Sequence, residues 1–282
     1  MNKMNKVNQF SFEFFPAKTD AGHAKLQGVH KELSKLNPNF FSVTYGAGGT
    51  TQERTINTVL DFHKKGIATA PHLTCIGNSK KDLTKLLDLY KDNGINRIVT
   101  LRGDLPEGMD STAGEFDYAS DLVTFIKENY NDQFHLEVAA YPEMHPQADN
   151  YNKDINNFVK KVKAGADSAI TQYFFNADAY FNFRDKVHAQ GVEIDIIPGI
   201  MPITNFKNLA RFSKSCGADI PRWMSKQFEA YENDTENAQK LGVEVITRLS
   251  ETLIKGGAPG LHFYSMNSVE PNLQICKNLG IV

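Results

Sequence analysis

The chain has 282 residues, a length that fits one large α/β barrel or two modest domains. Hydrophobic residues make up 41% and charged residues 23%, as in a globular protein with a sizeable core, and a formal charge of -2 argues against a general polyanion binder. Cys75, Cys216 and Cys276 are too scattered for a disulfide framework or a cysteine-rich zinc site. Residues 1–9 are polar and read as a flexible N-terminal segment without the apolar core of a signal peptide. No apolar run reaches the roughly 18 residues of a spanning helix, so the expected location is the cytoplasm, with no membrane partner.

In chain order, β-rich runs occur at 10–15, 40–44, 67–73, 97–102, 135–141, 169–174, 193–198 and 261–264. Segments of helical period lie between them. In 52–65, Ile56, Val59, Leu60 and His63 share a side; in 80–92, Leu83, Leu86, Leu87 and Tyr90 do; in 154–163, Ile155, Phe158, Val159 and Val162 do. Eight strands alternating with helices imply parallel βαβ units. At this length they fit a single-domain (β/α)8 TIM barrel over 1–282, with a doubly wound sheet as the alternative, because a linear sequence does not show closure. The link between strands 7 and 8 is long. It holds runs at 205–216, 223–231 and 236–255, which predicts an extra helix over one rim.

The first strand shows where the chemistry goes. Phe10, Phe12 and Phe14 alternate with Ser11 and Glu13, so the Phe face one side and Ser11 and Glu13 the other. In a barrel the outer face packs under helices, and Glu13 points inward near the C-terminal end of the strand, where barrel active sites form. Thr44, His72, Asp104, Tyr141 and Gln172 occupy comparable positions in later strands, each separated from the next by roughly one βα unit. Alone, His72 reads as a structural histidine and Asp104 as a turn residue. Glu13 has the weakest bland explanation, because a carboxylate among four Phe needs a reason. An apolar setting would raise its pKa and keep part of it protonated near neutral pH.

Other motifs lead elsewhere. Gly46-Ala47-Gly48-Gly49 lacks the third glycine of a dinucleotide fingerprint, which would fall on Thr51. There is no Walker A sequence, no HExxH and no metal site to assign. No lysine ends a strand, which weakens a Schiff-base aldolase. Tyr173-Phe174-Phe175 reads as core.

Taken in order, the strings SFEFFP at Ser11, VTYGA at Val43, PHLTC at Pro71, LRGDLP at Leu101, AAYPE at Ala139, ITQYFF at Ile170 and IPGI at Ile197 resemble the bacterial 5,10-methylenetetrahydrofolate reductases. The match runs from about Phe10 to the C-terminus. The resemblance implies a barrel holding FAD. Reduced nicotinamide, NADH more than NADPH, reduces the flavin and leaves; methylenetetrahydrofolate then takes the same face, accepts the hydride and becomes 5-methyltetrahydrofolate for methionine synthesis. It also implies a homo-oligomer.

Roles carry over by position. Hydride addition requires the folate methylene bridge to open to an N5 iminium, which needs a proton on N10, and Glu13 matches the general acid. Asp104 matches a carboxylate near flavin and pterin, whose charge favours the iminium. Gln172 matches an amide that contacts pterin or nicotinamide, and Phe206 an aromatic that packs on either substrate. FAD contacts carry over to Thr44, Tyr45, Ala47, His72, Arg102, Gly103, Asp104, Tyr118, Ala119, Tyr141 and His145, with Asp154, Asn157 and Lys161 on the following helix. Thr44 also touches nicotinamide. After His262-Phe263-Tyr264 the family pattern is Thr-Leu-Asn-Arg, whereas this chain has Ser265-Met266-Asn267-Ser268, so Ser268 stands at a folate-binding arginine. Two other readings stay open: another flavin barrel oxidoreductase, and a non-catalytic binding barrel.

Overall fold

The structure, a computed structural model, describes residues 9–45, 49–104 and 114–282. The elements follow one another as β1 (Phe10–Phe14), α1 (Asp20–Ser34), β2 (Phe40–Val43), α2 (Gly49–Lys64), β3 (Thr69–Thr74), α3 (Lys80–Asp92), β4 (Arg97–Leu101), α4 (Ala119–Tyr130), β5 (His135–Ala140), α5 (Tyr151–Lys163), β6 (Ser168–Thr171) and α6 (Ala177–His188). Then come β7 (Asp195–Ile197), β8 (Gly199–Ile200), α7 (Phe206–Cys216), α8 (Arg222–Glu229), α9 (Thr235–Lys255), β9 (Leu261–Tyr264) and α10 (Asn272–Asn278). Helix starts follow the expected chemistry: Thr19, Ser79, Asn150, Asn176, Asn205 and Asp234 each accept a backbone N–H in the first turn.

All strand pairs are parallel, in the order β7-β6-β5-β4-β3-β2-β1-β9-β8. The two ends of that order are neighbours in the chain. β7 pairs with β6 and β8 pairs with β9, and only Pro198 separates them. Proline has no N–H to give a ladder, while its carbonyl accepts from the His262 N–H at 3.0 Å. β7 and β8 are thus halves of one interrupted stave, and it brings the sheet round to a (β/α)8 barrel. The doubly wound alternative falls, because the two ends of the sheet are joined through β7 and β8.

The long link contributes more than the single extra helix expected. α7 and α8 are both additional. Each is short and amphipathic, burying Leu209 and Ser213 from one and Met224 and Phe228 from the other. α9 takes the ordinary ring position against α6 and α10. Among the described residues, no helix is long and apolar enough to cross a membrane.

Strand alternation divides the core in two. Phe12, Phe14, Phe41 and Phe263 face outward and pack beneath α1 and α2. Phe40, Ala70, Val99 and Ile170 fill the barrel. At the N-terminal end the buried Glu137 carboxylate is met by Arg97, which also lies 4.6 Å over the Phe40 ring, and by the Ser168 hydroxyl at 2.7 Å. That end is closed, which leaves the opposite mouth for chemistry.

Candidate active site

β1 and β9 build the floor of this mouth. Their register sets Ser11 beside His262 and Glu13 beside Tyr264. Period-two geometry turns all four side chains inward. The Glu13 carbonyl accepts from the Ser265 N–H at 3.1 Å and from the Ser265 hydroxyl. The Asn267 side chain accepts from the Phe15 N–H at 3.1 Å and donates to the Phe15 carbonyl at 2.8 Å. The exits of the two strands are therefore tied together around Glu13.

One oxygen of the Glu13 carboxylate, Oε2, lies 3.3 Å from His72 Nε2 and 3.6 Å from His262 Nε2. These are ion-pair distances rather than aligned hydrogen bonds, since both Nε2 atoms are buried without a hydrogen-bond partner. His262 is fully buried and shares a 2.7 Å hydrogen bond between Nδ1 and the Ser11 hydroxyl. The Glu13 side chain retains 18% exposure. Burial pushes the carboxyl up, but His72 first and His262 with it outweigh burial and hold the pKa at about 2. The raised pKa expected from the run of Phe is thus corrected: those rings face away, and the carboxylate faces two imidazoles.

Around this floor the mouth collects residues from several strand exits. Thr44 follows β2, and Tyr45 beside it is raised by burial. Arg102 and Gly103 follow β4. Gly103 has φ +89°, and a Cβ there would sit 3.0 Å from Thr74 Cβ, so both conformation and space call for glycine. The Arg102 guanidinium reaches Gln147 in the loop after β5. In that loop Tyr141 and His145 meet edge to face at 4.4 Å, and the His145 N–H donates to the buried Asp154 carboxylate at 2.8 Å. Burial, with the charges of Asp104 and Asp154 behind it, pushes the Tyr141 phenol up to about 12. Asp104 itself is exposed at the rim. Lys161 is turned inward, donating to the Ala139 carbonyl, and burial draws its pKa down to about 8. Tyr118 caps α4 with 62% exposure, next to Ala119, and Asn157 is exposed on α5. Ala47 lies outside the described residues.

Gln172 leaves β6 beside Tyr173. The Tyr173 hydroxyl shares a 3.0 Å hydrogen bond with Ser213 on α7 and accepts from Cys216 Sγ at 3.1 Å. One face of the half-buried Phe206 ring lies flat on Phe228 at 4.4 Å, joining α7 to α8. The exposed aromatic of this helix is Phe212, 54% accessible and stacked 6.2 Å from Tyr173. Ser268 turns away into its own loop, its hydroxyl donating to the Glu270 carbonyl. Sequence reasoning missed the place of His262 and Tyr264 beside Glu13. Both were available from the alternation that placed Glu13, applied to β9.

The chain was then compared with known proteins. A family model described as methylenetetrahydrofolate reductase matches residues 1–280. A 5,10-methylenetetrahydrofolate reductase of Escherichia coli is 41% identical over 272 residues, covering 96% of this chain and 90% of that one. One from Buchnera aphidicola of Schizaphis graminum is 41% identical over 282 residues, covering 100% and 95%. Among solved structures, an uncharacterised Clostridium thermocellum protein that binds two copies of 5-methyl-5,6,7,8-tetrahydrofolic acid shares the fold, with a TM-score of 0.66 and 18% identity over 98% of this chain and 94% of that one.

Proposed function

Because the chain belongs to the methylenetetrahydrofolate reductase family, we propose that it reduces 5,10-methylenetetrahydrofolate to 5-methyltetrahydrofolate using bound FAD and NADH. The two substrates use one face of the mouth in turn, in ping-pong fashion, and a cytoplasmic homo-oligomer supplies the product to methionine synthesis. The observation that carries the reading is Glu13, an inward carboxylate at the floor of the mouth, tied in place by Ser265 and still open to it.

The residues present fit a flavin nucleotide. The exit of β4 offers a close backbone approach at Gly103, flanked by the Arg102 guanidinium. Tyr118 offers an exposed ring and Tyr141 a half-buried one, edge to face with His145. Lys161 supplies a cation beneath. When bound, FAD would carry hydride between nicotinamide and folate.

The chain's own contribution is binding and proton placement. Glu13 delivers a proton to N10 of the folate, so that the methylene bridge opens to the electrophilic N5 iminium. The Asp104 charge at the rim favours that cation. Gln172 supplies one amide donor and one acceptor to whichever ring occupies the face. Phe206 packs the ring face that Phe228 does not cover on whichever ring is bound.

Two anaerobic half-reactions test this. Purified protein should carry flavin absorbance, bleach with NADH and recover its colour with methylenetetrahydrofolate. Glu13→Gln should keep the first half-reaction and lose the second by about a hundredfold or more. A colourless protein that FAD does not reconstitute removes the flavin, and equal loss in both halves removes Glu13 as the acid.

A further inference from the structure

We propose that Glu13, His72 and His262 hold one shared proton, and that His262 is the positioning residue that presents it to Glu13. The inference rests on the folate reduction proposed above and concerns where its proton is kept. Glu13 alone is a poor store, because a carboxylate facing two imidazoles at 3.3 and 3.6 Å favours its ionised form. A general acid so placed must draw its proton from its neighbours.

The two imidazoles differ in position. His72 stands on β3 with slight exposure, towards the mouth, whereas His262 is fully buried. The surroundings of His262 leave Nε2 one polar direction. On β2, Phe40 stacks on the ring at 6.0 Å, with the Arg97 guanidinium against that same Phe40 at 4.6 Å. On β9, Tyr264 meets it edge-on at 5.6 Å, and the Tyr264 hydroxyl already donates to the Thr171 carbonyl at 2.7 Å. On β1, Ser11 occupies Nδ1 at 2.7 Å, and Glu13 lies 3.6 Å from Nε2. On β8 the neighbour is the glycine backbone at Gly199. Glu13 is the titratable group that Nε2 faces at ion-pair distance. A fully buried ring nitrogen without a hydrogen bond is costly, and at His262 that nitrogen faces the Glu13 carboxylate.

The proton moves without any change of oxidation state. The His262 Nε2–H bond breaks as a Glu13 O–H bond forms, and the imidazole keeps its other proton on Nδ1, donated to the Ser11 hydroxyl oxygen. The Glu13 O–H bond then breaks as N10–H forms on the folate. Reloading comes from the mouth, through the part of Glu13 that remains exposed.

His262→Gln keeps an amide near the Nε2 position and cannot carry the proton. We expect its folate-dependent reoxidation to fall about tenfold to a hundredfold and the pH profile of that half-reaction to shift, with the loss concentrated there and not in reduction by NADH. Ser11→Ala should fall in the same half-reaction by less, and it carries the test if His262→Gln does not fold. Nitrogen-labelled histidine spectra should show the ring-nitrogen signals of both His72 and His262 moving in Glu13→Gln. A wild-type folate rate and pH profile in His262→Gln, equal loss in both halves, or histidine ring-nitrogen signals indifferent to Glu13 would overturn the proposal. A wild type that methylenetetrahydrofolate does not reoxidise would instead overturn the folate reading, while the histidine spectra still report on the shared proton.

Discussion

The carboxylate of Glu13 and the rings of Phe12 and Phe14 are neighbours in sequence and strangers in space. Alternation places the rings beneath α1 and α2, while the carboxylate meets His72 and His262 inside the barrel. The inward direction of Glu13 was legible from β1 alone. Its electrostatics were not, because they depend on two residues contributed by β3 and β9. The aromatic on α7 shows a similar limit. Both Phe206 and Phe212 lie in the helical run 205–216, and only the structure shows that Phe206 has one face on Phe228 while Phe212 lies 6.2 Å from Tyr173. Phe206→Ala should raise the KM for methylenetetrahydrofolate by about tenfold, the worth of one aromatic contact, and lower the melting temperature, since it also opens a helix–helix stack. Phe212→Ala should leave KM near wild type. Steady-state kinetics on the two variants decide the matter, and the reverse pattern would move the role to Phe212.

At the scale of elements, strand and helix order could be read because each periodic segment buries one face. β9 was expected over 261–264 and spans Leu261–Tyr264; α3 was expected over 80–92 and spans Lys80–Asp92. Closure could not be read, because it depends on the single interruption at Pro198 and on what packs there. Gly199, directly after it, donates its N–H to the Thr171 hydroxyl at 2.9 Å. A Cβ at Gly199 would stand 2.1 Å from the Thr171 carbonyl oxygen and 2.7 Å from a Tyr264 ring carbon. No flexible side-chain end can yield there, since one neighbour is backbone and the Tyr264 hydroxyl is held by that same carbonyl. Gly199→Ala must push β6 and β9 apart at the joint, and it should cost about 2 kcal/mol or more of stability. Thermal unfolding measures this directly. An alanine variant that melts with the wild type would mean that the joint is slack and that closure does not depend on it.

Among the described residues, His30 and Glu13 act in the same direction on acid stability, and the buried Glu137 carboxylate, also held below its ordinary range, acts with Glu13. His30 is packed among Phe62 at 3.9 Å, Phe41 at 4.7 Å and Phe14 at 6.4 Å, with Nε2 buried and unpartnered. Burial, assisted by Lys65 and opposed by Asp61, draws its pKa from the usual 6.5 to about 4. The unfolded chain takes up this proton more readily than the folded one. The contribution of His30 is therefore intact above pH 6.5 and is lost as the pH falls towards 4. Glu13 is held at about 2 against a usual 4.5, so its contribution is intact above 4.5 and is lost as the pH falls towards 2. The two windows meet, and stability should decline in two successive limbs on acidification. The first belongs to the packing between β-staves and α1–α2, and the second to the buried carboxylates, Glu13 at the active-site floor and Glu137 at the opposite end. His30→Leu should flatten the first limb and spare the second, whereas Glu13→Gln should do the reverse. Urea unfolding midpoints measured at intervals through this range separate the two. If His30→Leu keeps the wild-type slope between pH 6.5 and 4, the first limb has another source and the outer-layer imidazole is not the acid-sensitive point of the fold.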